Sequence, residues 1–180
     1  MVVPGVIIAL TNWGVVDMDI LLELQRKIRN PSTRVVFPEG TEERIIMAAT
    51  HIARKGFATP ILLGRQDEIK NLTIEKGLDM AGIIVTDPSS PSKLESYVAQ
   101  YCKDRDFPSG AARRILTKPL YFGAMMVRMG DADAMVAGVA AANESGAAEI
   151  IPASELIIGM QKGISTPSSF FLMDIPGYIG

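Results

Sequence analysis

Short apolar runs that end in glycine or proline recur along the sequence, and this alternation constrains the fold more than any other feature. Five of the runs are predicted strands: RVVFP, TPILLG, GIIVTDP, DAMVAG and SFFLMDIP. Stretches with helical spacing lie between them, which is typical of βα units. The runs are apolar throughout, as are strands that helices cover on both faces. The sequence therefore predicts an α/β fold, with three αβα layers around a mostly parallel sheet.

The segments between these runs predict helices. In TEERIIMAATHIARKG the apolar residues follow the spacing i, i+3, i+4, i+7, and Gly56 is the expected C-cap. Further helices are expected in DMDILLELQRKIRN, QDEIKNLTIEKG, SKLESYVAQYCKDR, SGAARRILT, PLYFGAMMVRMG and residues 150–162. The N-terminal stretch MVVPGVIIAL is expected to be a strand or a docked arm. We therefore divide the chain into an N-terminal arm and helix, residues 1–33, and an α/β domain, residues 34–180.

Composition and charge exclude several classes of function. The 180 residues carry 18 basic and 20 acidic side chains, mixed along the chain, so no basic field is available to bind nucleic acid. The single cysteine, Cys102, and the single histidine, His51, allow neither an internal disulfide nor a His/Cys metal cluster. No apolar run reaches the roughly 18 to 20 residues that span a bilayer. We expect a cytoplasmic protein with small-molecule partners and no metal, membrane or nucleic-acid partner.

Ligands of open α/β sheets bind beyond the carboxyl ends of the strands, where helix N-termini and loop amides converge. This rule selects the segments PEG, GRQ, DPSS, DIPGYIG and the loop that begins at Gly138. It disfavours STPSS, which precedes its strand and is expected at the opposite edge of the sheet.

The loop from Gly138 to Gly146 has two interpretations. Its glycines would let the backbone approach an anion, Asn143 and Ser145 offer side-chain donors, and the next helix is expected to begin near Pro152 with free N–H groups. Alternatively, the small residues form an ordinary βα connection, which Glu144 in the loop and Glu149 just after it favour.

The PEG segment also has two interpretations. Glu39 and Gly40 could form the rim of a substrate site, or Thr41 could be the N-cap of a helix whose first turn is acidic. His51 and Cys102 have no neighbouring groups arranged for nucleophilic catalysis, and we expect both to be non-catalytic.

Four segments together resemble the phosphate acetyl/butyryltransferase family, in its order and at its spacings. They are RVVFPEGTEERIIMAATHIARKG, TPILLG, KPLYFGAMMVRMGDADAMVAGV and GISTPSSFFLMDIP. The resemblance implies a Rossmann-like fold of the isocitrate/isopropylmalate dehydrogenase-like superfamily. It also implies two domains around a cleft and a homo-oligomer, namely a homodimer. Family members are longer, so it also implies that this chain is the N-terminal domain and lacks most of the second domain.

The resemblance implies acyl transfer: acetyl-CoA or butyryl-CoA and phosphate give an acyl phosphate and coenzyme A. Coenzyme A is then a substrate, and no cofactor is expected. In the mechanism attributed to the family, a carboxylate assists deprotonation of the coenzyme A thiol, and the thiolate attacks the acyl phosphate carbonyl. Cationic and hydroxyl groups hold the phosphate. A free thiol has a pKa of about 8.5, so a base and an anion site suit this reaction.

Carried over to this chain, the family's phosphate loop matches the loop after DADAMVAG. Asn143, Ser145 and Gly146 take its donor positions, but Ile151 or Pro152 stands where the family has an arginine. Lys103 or Arg105 in YCKDRD is the nearest family match for a cation. The catalytic residues are expected in the second domain. The predicted substrate-binding residues are Glu39, Gly40, Arg105, Gly138, Asn143, Ser145 and Gly146. The alternative is a non-catalytic domain that binds acyl-CoA or acyl phosphate, or that mediates assembly.

Overall fold

The computed structural model of the protein describes residues 5–8, 32–138 and 147–159. The strands are β1 (Gly5–Ile8), β2 (Arg34–Phe37), β3 (Thr59–Leu63), β4 (Ile84–Thr86) and β5 (Ala134–Ala137). The helices are α1 (Glu43–Lys55), α2 (Gln66–Glu75), α3 (Pro91–Arg105), α4 (Ser109–Leu116), α5 (Pro119–Met129) and α6 (Ala147–Ile157).

The five strands form one parallel sheet in the order β1-β5-β2-β3-β4. From β2 the chain moves outwards through β3 to β4, and it then returns to place β5 on the other side of β2. The strand order therefore reverses between β2 and β5. The carboxyl ends of these two strands define the edge at which ligands of such sheets bind.

The two faces of the sheet are covered by different helices. Ile46 of α1 and Ile69 of α2 belong to a buried cluster with Leu62. The next residue of β3, Leu63, belongs to a second cluster with Phe122 of α5 and with residues of α3 and α4. Successive residues of a strand point to opposite faces, so helices cover both faces. This arrangement confirms the predicted three-layer α/β fold.

The amino ends of β2 and β5 are joined by side-chain contacts. The backbone N–H of Arg34 donates to Asp133 Oδ2 at 2.7 Å, and the backbone N–H of Asp133 donates to the Arg34 carbonyl at 2.8 Å. The Arg34 guanidinium also donates to the Gly130 carbonyl at 2.7 Å. These bonds fix the register of the two central strands at the amino edge of the sheet.

Helix α5 runs from the carboxyl edge of the sheet to its amino edge. A Cβ atom at Gly123 would lie 3.3 Å from Pro38 Cγ, just beyond the carboxyl end of β2, and 3.0 Å from Met135 Sδ. The helix ends at Gly130, which contacts Arg34 at the amino edge. The missing side chain at Gly123 lets the helix lie close to the sheet.

Several sequence predictions can be compared with these elements. The strands at β2, β3, β4 and β5 are where the apolar runs predicted them, and the N-terminal stretch contains a strand, β1. Gly56 is the C-cap of α1, with φ of 66°. The predicted strand SFFLMDIP, the predicted helix DMDILLELQRKIRN and the segment STPSS lie outside the described residues. The boundary at residue 33 stays a prediction.

Two predicted helix starts are wrong. The N-cap residue of α1 is Glu42, not Thr41, because the Glu42 N–H closes a turn onto the Glu39 carbonyl at 3.0 Å. Helix α6 begins at Ala147, and Pro152 lies inside it rather than at its start. Ile150 packs against Ala137 in a buried cluster, and this contact anchors the part of the helix that precedes Pro152.

The burial of the methionines of α5 tests another prediction from the sequence. The helical spacing of the methionines in MMVRM, residues 125–129, predicts a place in the core or in a subunit interface. Met125 is fully buried and Met126 nearly so, both within this chain's own core cluster. The core placement is confirmed for these residues. No helix in the described part of the chain is long and apolar enough to cross a membrane.

Candidate functional site

The candidate site lies between the carboxyl ends of β2 and β5. Helix α1 follows β2 and packs on one face of the sheet, whereas Ile157 of α6, the helix that follows β5, packs in the core cluster of the other face. The helices that follow β2 and β5 therefore lie on opposite faces of the sheet. Such divergence opens a crevice at the edge of the sheet, and ligands of doubly wound folds bind there.

Glu39 and Gly138 meet in this crevice. The backbone N–H of Gly138 donates to Glu39 Oε2 at 3.0 Å, across 99 positions of sequence. Gly138 has φ of 124°, a conformation that favours glycine. The Glu39 carboxylate thus holds the first residue of the predicted phosphate loop and places a negative charge beside it.

Gly40 fixes the turn that carries Glu39. It is buried against the end of β3, where a Cβ would lie 2.5 Å from the Leu63 carbonyl oxygen and 2.8 Å from the Leu63 nitrogen. Both are backbone atoms that a side-chain rotation cannot move. Gly40 therefore permits a close approach of two backbones, and this approach positions Glu39.

Only part of the predicted phosphate loop can be placed. Asn143, Ser145 and Gly146 lie outside the described residues, and their roles stay predictions. Since α6 begins at Ala147, the free N–H groups of its first turn come five residues earlier than the predicted start near Pro152.

The structure does not bring Arg105 to this crevice. Its Nη2 donates to the Ile157 carbonyl at 3.4 Å, and its guanidinium stacks 4.7 Å from the centre of the Tyr101 ring. Arg128 Nη1 donates to the same carbonyl at 2.6 Å. Ile157 ends α6, and a helix of 11 residues is roughly 16 Å long. Arg105 therefore contacts the end of α6 that lies farthest from the loop.

One residue at this edge was missed in the sequence analysis. Lys118 precedes α5, whose first turn lies at the carboxyl edge, and its Nζ is 5.6 Å from the centre of the Tyr121 ring. Leu120 packs against Ala137 and Ile150, which flank the loop. The sequence contains a signal for this position, because a helix that leads into a parallel strand begins at the carboxyl edge.

A second polar cluster lies at the amino edge and has a structural explanation. Lys93 Nζ donates to Asp131 Oδ2 at 2.8 Å, and the buried Tyr97 hydroxyl donates to the same oxygen. Burial, with this bond, raises the pKa of Tyr97 well above its usual value. Partial burial would raise the pKa of Asp131, but the hydrogen bonds from Lys93 and Tyr97 outweigh it and hold that pKa below its usual value. The cluster ties α3 to the start of β5.

His51 and Cys102 lie away from the crevice. His51 is exposed on α1, with its ring 6.5 Å from that of Phe57, and Cys102 is half-buried against the core cluster. Within the described ranges, no group of three or more His, Cys, Asp or Glu side chains is arranged to hold a metal ion.

Comparison with known proteins shows to which family the chain belongs. A family model described as "Phosphate acetyl/butaryl transferase" matches residues 19–179, most of the chain. The chain belongs to this family. The phosphate acetyltransferase of Acetivibrio thermocellus is 36% identical over 162 residues, which are 88% of this chain and 47% of that protein. That of Nitratidesulfovibrio vulgaris is 40% identical over 153 residues, 83% of this chain and 21% of that protein.

Solved structures of the phosphate acetyl/butaryl transferase family agree with the fold. The chain is similar to the EutD phosphotransacetylase from Staphylococcus aureus, with a TM-score of 0.72 and 29% identity over 82% of this chain and 44% of that one. A phosphotransacetylase from Streptococcus pyogenes gives a TM-score of 0.70 at 30% identity, with the same coverage. The chain thus spans about half the length, or less, of the family members it matches.

Proposed function

We propose that this chain forms the phosphate-binding side of a phosphate acyltransferase site, where acyl-CoA and phosphate give an acyl phosphate and coenzyme A. The observation that carries the proposal is the meeting of Glu39 and Gly138 at the β2–β5 switch point, 3.0 Å apart, at the start of the loop between β5 and α6. Family membership supplies the chemistry. Coenzyme A is a substrate in this scheme, and the chain acts in the cytoplasm as a homodimer, as the family resemblance implies.

The described residues suit phosphate binding better than proton transfer. Glu39 already accepts a backbone hydrogen bond from Gly138, so its role is to position the loop. The first turn of α6 presents backbone N–H groups, which favour anions at a helix N-terminus. The thiol of coenzyme A needs a base because its pKa is about 8.5, and we assign that base to the family's second domain.

A second candidate function is binding of acyl-CoA or acyl phosphate without turnover. No Lys or Arg occurs between positions 128 and 162, so the loop itself has no cation to hold a phosphate dianion firmly. The backbone dipole of a helix end contributes only about half a charge. A domain of this kind would bind the substrates weakly or mediate assembly.

One assay tests the two candidates. The purified 180-residue chain is given acetyl phosphate, with and without coenzyme A, and released phosphate is measured. Release that depends on coenzyme A and is lost in Ser145→Ala would establish acyl transfer. Saturable binding of phosphate without turnover would show the phosphate site that both candidates require, since the base is assigned to the family's second domain. If the chain neither turns over acetyl phosphate nor binds phosphate, both candidates fail.

A further inference from the structure

The crevice lacks an evident counter-charge for an anion. The sequence from residue 129 to residue 161 contains no Lys or Arg, and the Glu39 carboxylate adds a negative charge beside Gly138. A phosphate dianion close to a carboxylate is repelled unless a cation offsets that charge. The cation must therefore come from an element other than the loop.

The two predicted cations of YCKDRD do not meet this need. Arg105 is directed to the Ile157 carbonyl at the C-terminal end of α6. Lys103 lies in the last turn of α3, two residues before Arg105. Both residues therefore belong to the end of α3 that contacts the far end of α6.

Two other cations at the carboxyl edge are also poorly placed. Arg65 follows β3, which lies on the side of β2 away from β5. Arg44 lies in α1, which packs on the opposite face of the sheet from α6. Neither residue is on the side of the crevice where the loop enters α6.

Lys118 is on that side. It is two residues from Leu120, whose side chain packs against Ala137, immediately before Gly138, and against Ile150 in α6. Five residues beyond Lys118, Gly123 approaches Pro38, immediately before Glu39. Lys118 therefore directly precedes a helix, α5, that contacts the carboxyl ends of both β2 and β5.

We propose that Lys118 supplies the positive charge that holds the phosphate group of the substrate at the β2–β5 crevice. The inference rests on the proposed function and names a substrate-binding residue for it. An exposed lysine side chain with three N–H donors can reach towards a mobile anion. The Lys118 ammonium group lies 5.6 Å from the centre of the Tyr121 ring.

Equilibrium dialysis with labelled inorganic phosphate tests this role in the 180-residue chain. Wild type is compared with Lys118→Met, with Lys118→Arg, and with Lys55→Met. The last variant removes one exposed positive charge from the final turn of α1, which lies at the amino edge of the sheet. Thermal unfolding of each variant checks that the fold is retained, as expected for exposed side chains.

We expect phosphate affinity to fall about ten-fold in Lys118→Met, since a hydrogen bond to a charged group is worth about that much. Lys118→Arg should restore most of the loss, and Lys55→Met should bind like wild type. Because the contact is ionic, added salt should weaken binding more in wild type than in Lys118→Met.

The outcomes separate this inference from the proposed function. If wild type binds phosphate and Lys118→Met binds it equally well, Lys118 is not the counter-charge, although the crevice can still be the site. An equal loss in Lys55→Met would show a general charge effect and would also overturn the inference. If wild type shows no saturable phosphate binding, the proposed function fails together with it.

Discussion

Two carboxylates lie at opposite ends of the central strand pair, β2 and β5. Asp133 accepts the backbone N–H of Arg34 at the amino edge, and Glu39 accepts the backbone N–H of Gly138 at the carboxyl edge. Each side chain thereby satisfies a strand-end donor of the neighbouring strand. The two contacts are chemically alike, but only the one at Glu39 lies where ligands of such sheets bind.

A methyl group at Gly40 tests how tightly the Glu39 turn is held. Gly40→Ala should destabilise the fold by about 2 kcal/mol, because its Cβ would collide with the Leu63 backbone. Gly110→Ala is the matched control: its Cβ meets nothing within 4 Å and it lies in a helix, so it should stabilise by about 0.5 to 1 kcal/mol. Urea unfolding measures both. Equal stability of the two variants would contradict the close contact at Gly40.

The acids of the amino edge predict a loss of stability at low pH. The backbone N–H of Arg34, and then its side chain, hold the pKa of Asp133 below its usual value, and the pKa of Asp131 is also lowered. An acid whose pKa is lower in the folded state than its unfolded value of about 3.9 stabilises the fold at pH values above that unfolded pKa. This stabilisation is lost as the pH falls through the folded pKa.

The measurement is the melting temperature between about pH 6 and pH 2. Wild type should lose stability as the pH falls below about 4, and Asp133→Asn should show a shallower fall with a lower melting temperature at neutral pH. An unchanged pH profile in this variant would show that Asp133 is not stabilised by its contacts with Arg34.

At the scale of elements, the most unusual helix is α6. Pro152 lies inside it and has no N–H to donate to the carbonyl four residues earlier. The helix forms nevertheless, because Ile150, Ala153 and Ile157 are buried. Tertiary packing therefore outweighs the local preference of proline for a first helical position, on which the expected start near Pro152 was based.

Replacing this proline should strengthen the helix. Pro152→Ala restores one backbone hydrogen bond at an exposed position and should raise the free energy of unfolding by about 1 kcal/mol or more. Pro91→Ala, at the first position of α3, is the control and should have a smaller effect, since no intrahelical bond is missing there. A destabilised Pro152→Ala would mean that the proline ring, not the helix backbone, makes the important contact.

At the scale of the whole molecule, the sequence predicted the layers better than the site. Apolar runs and helical spacing predict elements because they reflect local burial, and β2 to β5 lie where they were predicted. Strand order is not local. Glu39 and Gly138 are 99 positions apart, and only the placement of β5 beside β2 brings them together.

Helix direction, which is also not a local property, decides which cations lie near the crevice. Arg105 was selected by its match to the family pattern, but its contacts are with the last residue of α6. Lys118 was not predicted, because ligand sites are expected in the loops that follow strands and not at the helix start that precedes β5. Both differences come from tertiary arrangement rather than from residue type.

The central claim is that the crevice between β2 and β5 receives a phosphate group. The most direct measurement is a titration of the isotope-labelled chain with inorganic phosphate, in which the backbone amide resonance of every observable residue is followed. We expect saturable shifts concentrated at Gly138, Glu39, Lys118 and the first turn of α6. Shifts concentrated around Arg105, Arg128 and Ile157 instead, or no saturable shift at all, would contradict it.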